Sequence, residues 1–383
     1  MKMNELPTKQ QSANLYDVNI LSEIVNKLKS FNYKKIQYIP TNFSLLSIVK
    51  EHENIVNLFF QKKHLLFYYS LFPKFYLLFL EKKLRFFFDV CFLNKYVSKI
   101  DLVEMFSENL VNRAINNNIL SQKDEKFKFN ISFVPYDNHI LLRDPYQVYD
   151  NFGFDPKKFD DKVWLGADSI IFAKFIKKFL KNKYYNKIIE VGSGTGIITI
   201  VSSQFAKSCK AIDYNNRAIQ YTKLNVEING IKNIETKYSD LFSKVDDTFD
   251  LILANPWFVS LDKGGLEEAP SIIDELKNYL TKDGLCLMLL NSYIKNGNDT
   301  VYDYLKNFAQ SNKYDFYLYT KGYSIETSRL KEYKKYGVNY CTSYILVIKS
   351  NGKGLIKRYE VSLFRKIRDF IFIYTYQIIK KCF

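Results

Sequence analysis

Apolar positions along the chain follow two regimes that change at residue 187. Before it they recur mostly at helical spacing. Leu15, Val18, Leu21, Ile24, Val25 and Leu28 share one helical face, and Phe59 to Phe92 is a dense apolar-aromatic run interrupted by lysines. Asp101 to Leu120 keeps the helical period through Leu102, Met105, Phe106, Leu110, Val111, Ala114 and Ile115, with a polar break at Asn116-Asn117-Asn118 near its end. Lys126 to Phe133 then alternates (Phe127, Phe129, Ile131, Phe133) as a strand does. Tyr136-Asp137-Asn138 supplies a turn, so His139 to Leu142 is placed to return as the partner strand. Helices followed by a two-stranded ribbon form the winged-helix pattern, which binds nucleic acid in many proteins and serves as plain packing in others. Asp155-Pro156 breaks the chain, and Trp164 to Ser169 leads into an entry helix with Ile170, Ala173, Ile176, Phe179 and Leu180 on one side.

From Lys187 strands alternate with helix-length spacers, which predicts an α/β fold on a mostly parallel sheet. The expected strands are seven: Ile188–Val191, Lys210–Asp213, Ile234–Tyr238, Phe249–Ala254, Leu285–Asn291, Phe316–Thr320 and Ser343–Lys349. Helices fit between them, for example over Arg217–Asn229 and Ile272–Leu280. Beyond them Leu355, Tyr359, Leu363, Ile367, Phe370, Tyr374 and Ile378 recur at helical spacing among basic residues, which predicts an amphipathic C-terminal helix. The chain thus divides into a helical, winged-helix-like region (1–145), a linker with the entry helix (146–186), an α/β domain (187–350) and a basic tail (351–383).

Composition adds little to this division. Hydrophobic residues make up 47% and charged residues 25% of 383 residues, an ordinary globular balance. The 30 tyrosines and 32 phenylalanines, with abundant Lys, Asn and Ile, match the bias of an AT-rich coding sequence. The net charge of +16 is consistent with an acidic partner such as nucleic acid, a ribosome or an anionic surface, or with lysines spread over solvated faces. Five scattered cysteines without a C-x-x-C pair argue against a disulfide framework or a zinc site and suit a reducing cytoplasm. The most lipid-like stretches are His64–Pro73 and Phe75–Leu80, bounded or separated by lysines, and Phe370–Ile379; each is far short of the roughly 20 residues a spanning helix needs, so no transmembrane segment is expected.

The chemistry sits in the α/β region. Its first strand ends in Glu190-Val191-Gly192-Ser193-Gly194-Thr195-Gly196, and a helix follows at once. Glycines there let the backbone turn tightly and approach a ligand. Ile197 stands where a dinucleotide fingerprint would place its third glycine, which argues against an NAD-dependent oxidoreductase. Asp213 closes the second strand at the spacing from Gly192 at which a carboxylate accepts ribose hydroxyls, and Tyr214 follows it. Asp240, with Leu241 and Phe242, lies just past the third strand, where an adenine would be met by an acceptor and an apolar wall. The fourth strand ends in Asn255-Pro256-Trp257-Phe258. In that loop a planar nitrogen could donate to the Asn255 side-chain oxygen and the Pro256 carbonyl while Phe258 stacks on the flat group bearing it. The three histidines all lie outside this region, and no metal-ligand cluster is visible.

These motifs carry a resemblance. Residues 163–350 resemble the class I S-adenosylmethionine (SAM) methyltransferases of the methyltransferase small-domain group, which contains release-factor glutamine methyltransferases and ribosomal-RNA guanine-N2 methyltransferases. The resemblance implies a seven-stranded Rossmann-like sheet, SAM as cofactor and S-adenosylhomocysteine as product. It implies that Glu190, Gly192, Ser193, Gly194, Gly196, Asp213, Tyr214, Asp240, Leu241 and Asn255 contact the cofactor. It implies that Asn255, Pro256 and Phe258 hold the methyl acceptor, and Trp257 between them is a further candidate wall of that pocket. Members with an N-terminal extension lay their entry segment against the cofactor, which makes Ser169 a further contact. The loop departs from the group's Asn-Pro-Pro-aromatic pattern at Trp257, where a second proline would stiffen it; this puts the acceptor in question more than the reaction. The acceptor stays open between a protein amide, a nucleobase and a small-molecule or peptide nitrogen. A nucleic-acid-binding protein with a vestigial methyltransferase domain is the competing reading, opposed by the complete set of acidic and glycine positions.

Overall fold

Helical spacing in the N-terminal region becomes helix where apolar faces can meet. The structure, a computed structural model, describes residues 15–34, 81–145, 162–256, 263–311, 313–324 and 330–360. Residues 59–80 of the aromatic run, 146–161 of the linker and 361–383 of the tail lie outside these. Val18–Ser30 is the expected helix, with Ile20, Leu21, Ile24, Val25 and Leu28 buried. The Asp17 carboxylate caps it, accepting from the backbone N–H groups of Asn19 and Ile20 at 2.8 and 3.1 Å. Lys82–Phe87 is a second helix, continued by a π turn over Phe88–Phe92. The stretch read as one helix from Asp101 is two, Lys99–Phe106 and Glu108–Asn116, parted at Ser107 with φ +77°.

The predicted ribbon is corrected. β1 (Val97–Ser98), β2 (Leu120–Lys123) and β3 (Lys126–Phe129) form a small antiparallel sheet in the order β1-β3-β2. β4 (Ser132–Tyr136) and β5 (His139–Arg143) form a separate hairpin. Alternation runs unbroken from Phe127 to Phe133 because Phe127, Phe129, Ile131 and Phe133 are all buried. The chain nevertheless leaves one sheet at Asn130. The Asn94 side-chain amide holds that departure, donating to the Phe129 and Ile131 carbonyls at 3.0 and 2.9 Å.

The large sheet contains all seven expected strands, five of them extended at their ends and two with the expected bounds. They are β6 (Tyr185–Val191), β7 (Ala206–Asp213), β8 (Ile234–Tyr238), β9 (Phe249–Ala254), β10 (Leu280–Lys295), β12 (Asp315–Ser324) and β13 (Val338–Lys349). Short β11 (Asn298–Asp299) pairs with β10, and β14 (Ile356–Tyr359) adds a parallel edge beside β12. The spatial order is β14-β12-β13-β10-β9-β6-β7-β8, with β13 antiparallel to both its neighbours. β14 corrects the start of the predicted tail helix: Tyr359, read as a helical position, belongs to a strand. Arg358 fixes that strand by donating to Asp299 at 3.2 Å while lying over the Tyr344 ring.

The central strands are apolar on both faces, as a covered parallel sheet requires. Ile188, Leu251, Leu253 and Leu287 face one cluster, which continues into the N-terminal helices and the entry helix Ala167–Leu180. Ile189, Val191, Ile252 and Met288 face the other, beneath helices Ala269–Tyr279 and Thr300–Ser311. Among the described residues no helix is long and apolar enough to cross a membrane.

The β4–β5 hairpin is joined to the α/β unit by polar contacts as well. Helix Asn216–Ile228 and the residue after it carry Asn225 and Asn229, which lie one turn apart and meet alternate residues of β5. The Asn225 amide accepts from the Leu142 N–H at 2.6 Å and donates to the Leu142 and Thr195 carbonyls at 3.0 and 2.8 Å. Asn229 does the same for Ile140, at 3.1 and 2.8 Å. Two side-chain amides thus pair β5 as a neighbouring strand would. Asn225→Ala strands buried backbone groups, each costing about 1–3 kcal/mol. Urea unfolding should show a loss of roughly 2–4 kcal/mol, and a loss below roughly 0.5 kcal/mol would mean that water replaces the amide.

Candidate active site

Strands β6 and β9 pair in parallel with Val191 opposite Ala254, so the loops that follow them leave the sheet side by side. The chain passes outward through β7 and β8 on one side of β6, then crosses back to β9 on the other. That reversal is the switch point where open α/β sheets leave a crevice at their carboxyl edge. Val191 also pairs with Ile212 and Asp213 with Tyr238, so the loops after β6, β7 and β8 reach the same edge.

The glycine turn after β6 runs through three left-handed residues, Gly192 (φ +74°), Gly194 (φ +53°) and Gly196 (φ +77°). A side chain would be strained at each. At Gly192 and Gly194 an added Cβ would project into open space, so the backbone there forms an open cradle. At Gly196 a Cβ would strike the Thr222 methyl at 2.7 Å, which makes that glycine a packing requirement. The turn is fastened below. Gly192 and Ser193 donate to the Ile212 carbonyl at 2.9 and 3.0 Å, and Thr222 donates to the Gly194 carbonyl at 3.1 Å. The Ser193 hydroxyl is buried beside that of Thr222 at 3.2 Å.

Two carboxylates flank the cradle. Asp213 accepts from the backbone N–H groups of Gly194 and Asn215 at 2.9 and 2.8 Å, and burial still pushes its pKa up. Glu190 lies beneath the turn, 1% exposed. It accepts from the Thr199 N–H at 2.8 Å and from the Thr199 hydroxyl. Burial outweighs those bonds and pushes its pKa up to about 8. Thr199 was not singled out from the sequence; its place two residues into helix Ile197–Ser203 was the only available signal. Farther along the edge Tyr214 is 64% exposed, Asp240 is exposed and Leu241 is half-buried with φ +44°. The buried Ser239 holds this turn, donating to the Leu241 carbonyl at 2.7 Å and accepting from the Lys244 N–H at 3.1 Å.

Asn255 has the most telling surroundings. Its side-chain NH2 donates to Asp168 at 2.9 Å and to the Ser169 hydroxyl at 3.1 Å, both in the first turn of the entry helix. Its side-chain oxygen is buried and has no hydrogen-bond partner among the described residues. Ser169, expected at the cofactor, thus meets Asn255, and Asp168 is a partner the sequence reading missed. Pro256 is buried, while Trp257 and Phe258 lie outside the described residues. Beyond them the loop is fastened again: the Gly264 carbonyl accepts from Thr300 at 2.6 Å. Among the described residues no group of His, Cys, Asp and Glu could hold a metal ion.

These residues fit a cationic, ribose-bearing cofactor. The glycine cradle is open to a ligand, the Asp213 carboxylate is bonded to its Gly194 N–H, and two buried carboxyls whose charged forms burial disfavours would gain from a nearby positive charge. The Glu190 shift also has a sign for stability. A carboxyl that holds its proton more tightly when folded favours the folded state at low pH. That advantage is lost as pH rises from the ordinary glutamate range towards about 8. Thermal unfolding of the ligand-free protein should therefore occur at lower temperature at pH 8 than at pH 6, with the dependence reduced in Glu190→Gln. Parallel pH profiles for the two proteins would contradict this.

Comparison with known proteins agrees with the geometry. A family model described as the methyltransferase small domain matches residues 171–319. A protein of Methanocaldococcus jannaschii, provisionally named a protein N5-glutamine methyltransferase, is 34% identical over 142 residues, 33% of this chain and 70% of its own length. A release factor glutamine methyltransferase of Fusobacterium nucleatum is 32% identical over 123 residues, 31% of this chain and 33% of its own. A ribosomal protein L11 methyltransferase of Thermotoga neapolitana is 39% identical over 82 residues, 21% of this chain. The chain spans only 30% of the length of that last relative. The family model lies across the strands that carry these loops, and one relative is matched over more than two thirds of its length: the chain belongs to the methyltransferase small-domain family of SAM-dependent methyltransferases.

Proposed function

We propose that this chain transfers a methyl group from SAM to a nitrogen that carries a hydrogen on a planar group, and that a protein side-chain carboxamide is the acceptor. The observation that carries the reading is the Asn255 side-chain oxygen, buried at the strand edge next to the glycine cradle and unpaired among the described residues. A buried carbonyl oxygen without a partner is costly, so a site that keeps one is built to receive a donor from outside. An acceptor N–H supplies that donor. Its hydrogen bond to Asn255 turns the nitrogen lone pair towards the cradle side of the crevice.

When bound, SAM would supply an electrophilic methyl carbon on a positively charged sulfur, with S-adenosylhomocysteine as the neutral leaving group and the proton displaced from the acceptor nitrogen passing to water. The protein's task is to orient: Gly192, Ser193, Gly194 and Gly196 shape the cofactor wall. Asp213 holds the ribose, and Asp240 and Leu241 flank the adenine beside Tyr214. Asn255 and the Pro256 carbonyl grip the nitrogen, with Phe258 and Trp257 as walls of the acceptor pocket. Alignment of this kind supplies up to roughly 7–11 kcal/mol of the acceleration in displacement reactions. The two glutamine-methylating names among the relatives favour a carboxamide over a nucleobase. Helices Lys99–Phe106 and Glu108–Asn116 with the β1-β3-β2 sheet support a winged-helix-like accessory region for engaging an acidic partner of this +16 chain.

The reading is tested by incubating the enzyme with methyl-labelled SAM and the protein and RNA fractions of a host extract. Label should enter protein, as glutamine or asparagine bearing one extra methyl by mass spectrometry. Asp213→Ala should abolish SAM binding in calorimetry. Asn255→Ala should spare it and lower transfer by about 100-fold or more. Transfer retained in Asn255→Ala would remove the acceptor clamp, and label confined to RNA would replace the carboxamide with a nucleobase.

A further inference from the structure

We propose that Asp168 is a positioning residue that locks the polarity of the Asn255 amide and thereby decides which nitrogens can be methylated. This rests on Asn255 being the acceptor clamp. A primary amide has two ends of nearly equal size, and turning it over exchanges a carbonyl acceptor for an NH2 donor. Shape alone therefore does not determine which end an asparagine offers. A neighbour that can only accept does determine it, and an ionised carboxylate is such a neighbour.

Asp168 fills that role. Its Oδ2 lies 2.9 Å from Asn255 Nδ2, and the Ser169 hydroxyl lies 3.1 Å from the same nitrogen. With the NH2 drawn to the entry helix, Oδ1 has to face the other way, where it is buried and has no partner among the described residues. The reversed amide would set its oxygen against the carboxylate, two acceptors with no hydrogen between them. The carboxylate is placed by backbone: Asp168 sits in the first turn of a helix, where the helix dipole favours a negative charge. It folds back over Gly166, where a Cβ would collide with the Asp168 carboxylate.

The consequence is a specificity rule. With Asp168 ionised the clamp offers only an acceptor, so it holds nitrogens that carry a hydrogen, such as a carboxamide or an exocyclic amine. A ring nitrogen that presents only a lone pair finds no donor. The substitution Asp168→Asn breaks the rule with almost no change of shape. The carboxamide it introduces can donate to Asn255 Oδ1, which lets the Asn255 amide turn and present NH2 to the acceptor.

The test combines two readouts on the full chain. In nitrogen-15 NMR, the Asn255 side-chain NH2 signals, identified by their loss in Asn255→Ala, should shift in Asp168→Asn while SAM binding in calorimetry is unchanged. Transfer from labelled SAM to host-extract protein should fall about 100-fold in Asp168→Asn, the scale of a misplaced reacting group. In the Asn255→Ala background the same substitution should cause no further loss, which a merely structural role would not give. Gly166→Ala, which pushes the carboxylate aside, should reproduce the NMR shift if Asp168→Asn does not fold. Asn255 signals that stay unshifted, or transfer losses that simply add, would overturn the lock. Full transfer in Asn255→Ala itself would instead bring down the clamp reading beneath it.

Discussion

Strands β6 and β9 lie beside one another, run the same way and end level, with Val191 opposite Ala254. The rest of the site depends on that pairing. It places a glycine turn and an asparagine turn as neighbours at one sheet edge, although more than sixty residues separate them in sequence. Apolar side chains on both faces maintain the alignment, since a slip of one residue would exchange the two buried clusters. Chemistry at the edge is therefore secured by packing well below it.

Polar groups buried around this edge are held mostly by partners from other elements. Asp144, at the end of the β5 hairpin, accepts from Tyr221 at 2.8 Å and from the Val163 N–H at 2.8 Å, and is paired with Arg217. Burial would push its carboxyl up, but the Arg217 hydrogen bond and these donors hold it below the ordinary range. Asn225 and Asn229 bind the same hairpin from the next turns of that helix. The N-terminal region is thereby fixed to the helix that follows Asp213. The Asn255 oxygen differs from these groups: it is buried beside the crevice and has no hydrogen-bond partner among the described residues.

Much of this was legible in the chain. Glycines at three left-handed positions, an acidic residue closing β7 and an Asn-Pro step closing β9 each have a local physical reason, so they stand out in sequence. The seven large strands were readable because most of them centre on an apolar run between helical spacers. What escaped has long-range causes. The alternation from Phe127 to Phe133 concealed a change of sheet, because core contact continued across the bend that Asn94 holds from 35 residues before Phe129. Ile356–Tyr359 read as helix because apolar residues four apart satisfy that period, while the open edge of β12 that captures it is invisible in sequence. Asp168 and Thr199 act through hydrogen bonds that only the folded chain brings together, and the bond between Ser169 and Asn255 has the same kind of cause.

One measurement bears most directly on the shared edge: a crystal structure with SAM bound. The sulfonium methyl should point across the crevice towards Asn255 Oδ1, leaving room between them for one nitrogen at the roughly 3–3.5 Å approach of reacting atoms. A methyl directed elsewhere, or an Asn255 oxygen taken up by a donor of the protein itself, would contradict the assignment of these two loops to the two halves of one transfer.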